Sequence, residues 1–191
     1  MRYLALGDSM SIDDYTGVRG GGAASQLAKL IRASEFIDLT RDGQITHGVL
    51  RDLARKQASP PDVVTLTIGG NDFLGGAVAS EILGNLREIA EGLAGFEAKV
   101  IMNTVYDPTD GQDDLAPEIG LSPAQRADFR LLNEGISALA QTHGYLLCNL
   151  ERLFRGHGIG APDSWIVMGI EPNLAGATAI AAAWSALLGQ R

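Results

Sequence analysis

Short apolar runs recur along the chain: RYLAL (2–6), EFIDL (35–39), DVVTLTI (62–68), AKVIMNT (98–104) and GYLLCNL (144–150). Each gives way to turn residues and then to a longer stretch of helical character. The third and fourth runs are nearly continuous and β-branched, the pattern of strands covered on both faces. Between the runs, AASQLAKLIRA sets Leu27, Leu30 and Ile31 on one helical face, and EILGNLREIAEGLAGF does the same with Ile82, Leu86, Ile89 and Leu93. SPAQRADFRLLNEGISALAQTHG predicts a helix capped by Ser122, with Pro123 at its first position and Gly144 at its close. The last helical stretch, LAGATAIAAAWSALLG, is rich in alanine. Alternating strands and helices predict a parallel sheet with helices on both faces. The expectation is one α/β/α domain over residues 1–191, without repeats or an internal linker.

In such sheets ligands bind outside the carboxyl ends of the strands, so the loops that follow the strands are the places to look for chemistry. The first strand ends in ALGDSMS, with Ser9 in the turn. A serine is a weak nucleophile until a base takes its proton, but the amides of a strand-to-helix turn can face an oxyanion. Asp and Ser also cap helices, so this turn alone is unspecific. The third strand ends in TIGGNDF, where Gly69 and Gly70 allow a sharp turn and Asn71 follows at the rim. Its side chain either donates to an oxyanion or caps the next helix. TRDGQITHGVL follows the second strand. There the Gly43 amide could be a further donor, while His47, a turn later, reads as a surface or packing residue.

Together these loops resemble the SGNH (GDSL-type) hydrolases. The match lies in Gly7-Asp8-Ser9, in Gly43, and in the Gly-x-Asn-Asp block at residues 69–72, taken in order on the first three strand ends. The resemblance implies a flavodoxin-like three-layer sandwich that hydrolyses carboxylic esters or thioesters. It also implies that Ser9 is the nucleophile and that the oxyanion donors are the amides of Ser9 and Gly43 and the side chain of Asn71.

The family's last block, Asp-x-x-His followed by Pro-Asn, aligns with MGIEPNLAGA through Pro172, Asn173 and Gly176. Met168 stands in the aspartate position and Glu171 in the histidine position. Three readings compete. Glu171 is itself the base, its carboxyl raised from an ordinary value of about 4.3 by burial against apolar neighbours such as Met168. Alternatively His157, between Gly156 and Gly158 in the loop after the last strand, is the base and Glu171 orients it. Or the chain is a non-catalytic ligand-binding or interaction domain on the same scaffold. His143 ends a helix at the opposite end of the sheet and is set aside.

Charge and composition narrow the partners. The formal net charge of −8 argues against nucleic acid and against an anionic membrane surface. No run approaches the ~20 apolar residues of a membrane span. MRYLALGDS reaches a motif before a leader could form, so the expected location is cytoplasmic. Cys148 is the single cysteine and reads as a small core residue. The glycine-rich TGVRGGGAAS lacks the Lys-Ser/Thr ending of a phosphate-binding loop and reads as a flexible loop beside the cleft. Asp8, Asp13 and Asp72, with Asp14, are the candidates for contact with a polar substrate. Asp107, Asp110, Asp113 and Asp114 lack calcium-loop spacing and suggest an acidic cleft wall that disfavours anions. The expected ligand is a small-molecule ester, with no cofactor and no metal.

Overall fold

The computed structural model describes residues 1–54 and 59–189; of the expected domain, residues 55–58, 190 and 191 lie outside the described residues. The strands are β1 (Arg2–Gly7), β2 (Glu35–Thr40), β3 (Val63–Thr67), β4 (Lys99–Asn103) and β5 (Leu146–Cys148). They form one parallel sheet in the order β2-β1-β3-β4-β5. This is the flavodoxin-like α/β order, in which the chain leaves β1 toward one edge for β2 and then crosses to β3 on the other side. The loops after β1 and β3 therefore diverge and leave a crevice at their carboxyl ends.

Strand alternation assigns the two cores. Leu4, Leu6, Val64 and Leu66 point to one face, under α2 (Thr46–Leu53), α4 (Ala79–Ala94) and α5 (Pro123–His143). Tyr3, Ala5 and Val63 point to the other, under α1 (Ala23–Leu30) and α7 (Leu174–Gly189). Every residue of β3 is buried, as its near-continuous apolar run predicts, whereas the edge strand β2 is half-buried. Cys148 is buried in the second core. In α4 the four expected positions, Ile82, Leu86, Ile89 and Leu93, are all buried. α5 opens with reciprocal bonds between Ser122 and Gln125 and ends at Gly144.

The expected face of α1 is corrected at one position: Leu27 is fully buried and Ile31 packs against the second core, but Leu30 is 56% exposed, and Ala23 and Ala24 are buried beside Leu27. Small side chains let α1 approach the alanine-rich α7 closely, a contact that leaves no stripe of large apolar residues in the sequence. Four further elements position the site: α3 (Gly70–Leu74), α6 (Leu150–Leu153), and an antiparallel hairpin of β6 (Ile166–Val167) and β7 (Glu171–Pro172). Among the described residues, no helix is long and apolar enough to cross a membrane.

Candidate active site

The crevice is set up by the last residue of β1. Gly7 has φ 132°, and a Cβ there would lie 1.9 Å from the Thr67 carbonyl oxygen, so only glycine lets the ends of β1 and β3 meet this closely. The next amide, Asp8 N–H, donates to that same carbonyl at 2.8 Å. The chain then turns through a single 3-10 turn, Ser9–Ser11, capped by the Asp8 carboxylate, which accepts from Met10 N–H at 3.2 Å.

Glu171 reaches Ser9 from the far end of the chain. It is the first residue of β7, and Ser9 Oγ donates to its Oε1 at 2.9 Å. Glu171 is 6% exposed. Burial raises its carboxyl above the ordinary range, the Ser9 hydroxyl lowers it in part, and the negative charge of Asp42 raises it again. Met168 is not what buries it: that side chain is 77% exposed, in a left-handed turn with φ 52°. Asp8 is also buried, and its carboxyl is pushed up to about 8, chiefly by burial, with the Met10 amide opposing and the charge of Glu171 adding to the rise.

Two tyrosines join this group without having been singled out in the sequence. Tyr106, just beyond β4, is buried. Its hydroxyl donates to the carbonyl of Ile170, one residue before Glu171, and its ring stacks on Phe154 at 4.1 Å. The Tyr15 phenol lies against Asp42 and is pushed up to about 12 by burial first, then by Asp42 and Glu171. The strand-end rule that selected Ser9 and Asn71 applies equally to Tyr106; its place in an acidic segment obscured it.

Asn71, in α3, donates from Nδ2 to the Gln44 carbonyl at 3.0 Å and borders the same cavity as Ser9. Gly43, one residue before Gln44, lies exposed in the turn after β2 with φ 65°. Asp72 is turned to a different use from substrate contact. Both its oxygens accept from Thr46 N–H, at 3.1 and 3.0 Å, and one also accepts from the Thr46 hydroxyl. It thus caps α2 from a neighbouring element. Asp13 is likewise occupied, accepting from Gly20 N–H at 2.6 Å and Gly22 N–H at 2.9 Å. Burial would raise its carboxyl, but these amides with Ser25 and Lys29 outweigh it and hold it below the ordinary value. The glycine-rich loop is therefore tied down.

His157 is not brought to Ser9. Its Nδ1 lies 3.0 Å from Asp163 Oδ2, and its ring stacks on Trp165 at 3.7 Å and 3°. His47 lies beside Asn85, and His143 stacks on Tyr145. The acidic segment also differs from expectation. Asp107 accepts from the amides of Thr109 and Gly111 and pairs with Arg126. Asp113 pairs with Arg126 as well, and Asp110 accepts from Gly156 N–H. With these carboxylates facing the arginine and the amides, the segment presents Tyr106, Pro108, Ile119 and Leu121 to the cavity at Ser9. Among the described residues, no group of three or more His, Cys, Asp or Glu could hold a metal ion.

Residues 5–179 match the GDSL-like lipase/acylhydrolase family. No curated protein matches the chain. Solved structures share the fold. One is a phospholipase A1 from Streptomyces albidoflavus NA297, with 23% identity over 97% of each chain and a TM-score of 0.72. A member of the lipolytic G-D-S-L family from Veillonella parvula DSM 2008 has 21% identity over 98% of this chain and 97% of its own, with a TM-score of 0.75. An acetylxylan esterase from Geobacillus stearothermophilus has 17% identity over 100% of this chain and 94% of its own, with a TM-score of 0.78.

Proposed function

Because the chain belongs to the GDSL-like lipase/acylhydrolase family, we propose that it hydrolyses carboxylic ester or thioester bonds through an acyl-serine intermediate on Ser9, with Glu171 as the base. The observation that carries this reading is the 2.9 Å hydrogen bond from Ser9 Oγ to Glu171 Oε1. It has the length and direction that proton transfer from a nucleophile to its base requires. A carboxyl raised by burial suits neutral pH better than an ordinary glutamate. The engagement of His157 with Asp163 and Trp165 supports a role in ordering its own loop.

The steps follow from these groups. Ser9 Oγ attacks the acyl carbon and passes its proton to Glu171. The carbonyl oxygen, now negative, is met by the amides of Ser9 and Gly43 and by the Asn71 N–H that Gln44 does not use. The carbon–oxygen or carbon–sulfur bond breaks, and the leaving alcohol or thiol takes the proton from Glu171. A water then attacks the acyl-serine, giving its proton to Glu171. Ser9 leaves as the new carboxylic acid forms and recovers its proton from Glu171.

Four proteins test this on one activated ester: wild type, Ser9→Ala, Glu171→Gln and His157→Ala. Ser9→Ala and Glu171→Gln should each lower kcat/KM by about 10³-fold or more, while His157→Ala should change it by less than about 10-fold. The kcat/KM profile should rise with pH through one group titrating above the ordinary carboxylate range. A His157→Ala loss as deep as that of Ser9→Ala would transfer the base to His157. Indistinguishable rates for all four proteins would leave a binding domain as the better description.

A further inference from the structure

We infer that the site takes esters of short, unbranched acyl groups, about two to four carbons long, and that Leu121 and Phe129 set that limit. The inference rests on the ester-hydrolase reading above and names the substrate class for the same site. Its starting point is the cavity beside Ser9, which has a volume of about 50 Å³. A dry apolar cavity of about 150 Å³ holds a benzene ring, so a third of that volume admits only a few carbons. The polar side chains of the lining are Asp8, Ser9, Asn71, Tyr106 and Glu171; Asp8 adjoins Ser9, and the Tyr106 hydroxyl is spent on the Ile170 carbonyl beside Glu171, so they gather at the reacting end. Away from them the wall is apolar, supplied by residues such as Val105, Ile119 and Ile170. Such a wall accepts an aliphatic chain and rejects a hydroxylated or charged acyl group, whose polar atoms would lose water without gaining partners.

Two side chains stand between this cavity and a second one. The second is larger, about 330 Å³, and is bordered by Arg126, Arg130, Glu151 and Arg155. Among the described residues, Leu121 and Phe129 border both cavities. They are therefore the partition between an apolar slot and a charged one. Both are buried. Phe129 sits on α5 and meets Phe73 of α3 edge-on at 5.7 Å. Leu121 is held by its amide, which donates to the Ala116 carbonyl at 2.9 Å. A chain too long for the slot meets first this fixed wall and then charged groups that an alkyl tail cannot pair with.

The test is a series of p-nitrophenyl esters with acyl chains of two, four, eight and twelve carbons. It is run on wild type, Leu121→Ala and Phe129→Ala, with circular dichroism on each. Wild type should turn over the two- and four-carbon esters best, with kcat/KM at least ~10-fold lower at eight carbons. Leu121→Ala, which opens the partition, should move the optimum to eight carbons, raising the ratio of the eight-carbon to the two-carbon kcat/KM by at least ~10-fold over wild type. Phe129→Ala should do the same if it folds; if it does not, the wild-type profile and Leu121→Ala decide the matter. A wild-type preference for eight carbons or more, or a folded Leu121→Ala with an unchanged profile, would overturn the inference while leaving the hydrolase reading intact. Turnover of none of the esters by wild type would remove both together.

Discussion

Ser9 and Glu171 are separated by 162 positions in the chain and joined by one hydrogen bond of 2.9 Å. The carboxyl of Asp8, directly before the nucleophile, makes a measurable claim about stability. Burial pushes it up to about 8 from an ordinary 3.8. Between those values the folded protein holds a proton at Asp8 that the unfolded chain has lost. Stability from this group is therefore full below pH ~4 and falls as pH rises toward ~8, by at most about 1.4 kcal/mol per pH unit. Asp8→Asn removes the titration and keeps an oxygen to accept from Met10 N–H. Urea unfolding at several pH values should give a flatter stability curve for the variant, with a gain over wild type at pH ~8. Parallel curves for the two proteins would show that Asp8 is ionised in the folded state at neutral pH. The sequence made some of these residues legible and hid others for physical reasons. Ser9 and Asn71 could be found because strand ends in a parallel sheet face the ligand. Glu171 could be found because Pro172 and Asn173 held the alignment around it. Tyr15 and Asp42 could not, because their pairing spans two loops and neither residue type marks a site by itself.

At the level of elements, the β6–β7 hairpin presents Glu171, and its tip carries Met168 in a left-handed conformation followed by Gly169 at φ 84°. Two-residue strands carry no periodicity, so nothing in the apolar pattern announced this hairpin. The long helices α4 and α5 were legible because each buries a regular stripe of large side chains or carries explicit caps. On α1 and at its C-terminal end Leu27 and Ile31 face the core as expected, and Leu30 was misplaced because alanines make the contact with α7. Asp72 read as a cleft residue because the bond that occupies it, to Thr46 of α2, crosses between elements. The hairpin tip is fastened by the Tyr106 hydroxyl on the Ile170 carbonyl, with Phe154 stacked behind the ring. Tyr106→Phe keeps the stack and deletes only that bond. The expected outcome is a fall in kcat of about 10-fold with KM nearly unchanged, since the bond holds the base and not the substrate. The acid limb of the pH profile should also move to lower pH, because a looser tip admits water to Glu171 and relieves the burial that raises it. Lower thermal stability with unaltered kcat and an unaltered profile would reduce Tyr106 to a packing residue.

At the scale of the whole molecule, the net charge of −8 and the carboxylates near Ser9 act together on whatever approaches. Asp42 and Glu171 lie close enough for Asp42 to shift the Glu171 titration, whereas the buried Asp8, which keeps its proton up to about pH 8, adds little charge at neutral pH. The carboxylates of the 107–113 segment are paired with Arg126 or bonded to amides, so that segment contributes less to the field than its composition suggests. Repulsion of anions must then come from the net charge and from the Ser9 end of the crevice. A surface field is screened with a Debye length of about 30 Å at 0.01 M salt, about 10 Å at 0.1 M and about 3 Å at 1 M. A steric or hydrogen-bonding preference has no such dependence. The same short acyl group should therefore be offered on three alcohols of similar size: one neutral, one bearing a carboxylate and one bearing a quaternary ammonium. Raising the salt from about 0.01 M to about 0.5 M should increase kcat/KM several-fold for the anionic ester, decrease it for the cationic ester and leave the neutral ester nearly constant. The effect should lie mainly in kcat/KM, because encounter and binding feel the field before the substrate loses its water. If all three esters respond to salt alike, discrimination between alcohols is set by contact at the crevice rather than by the charge of the protein.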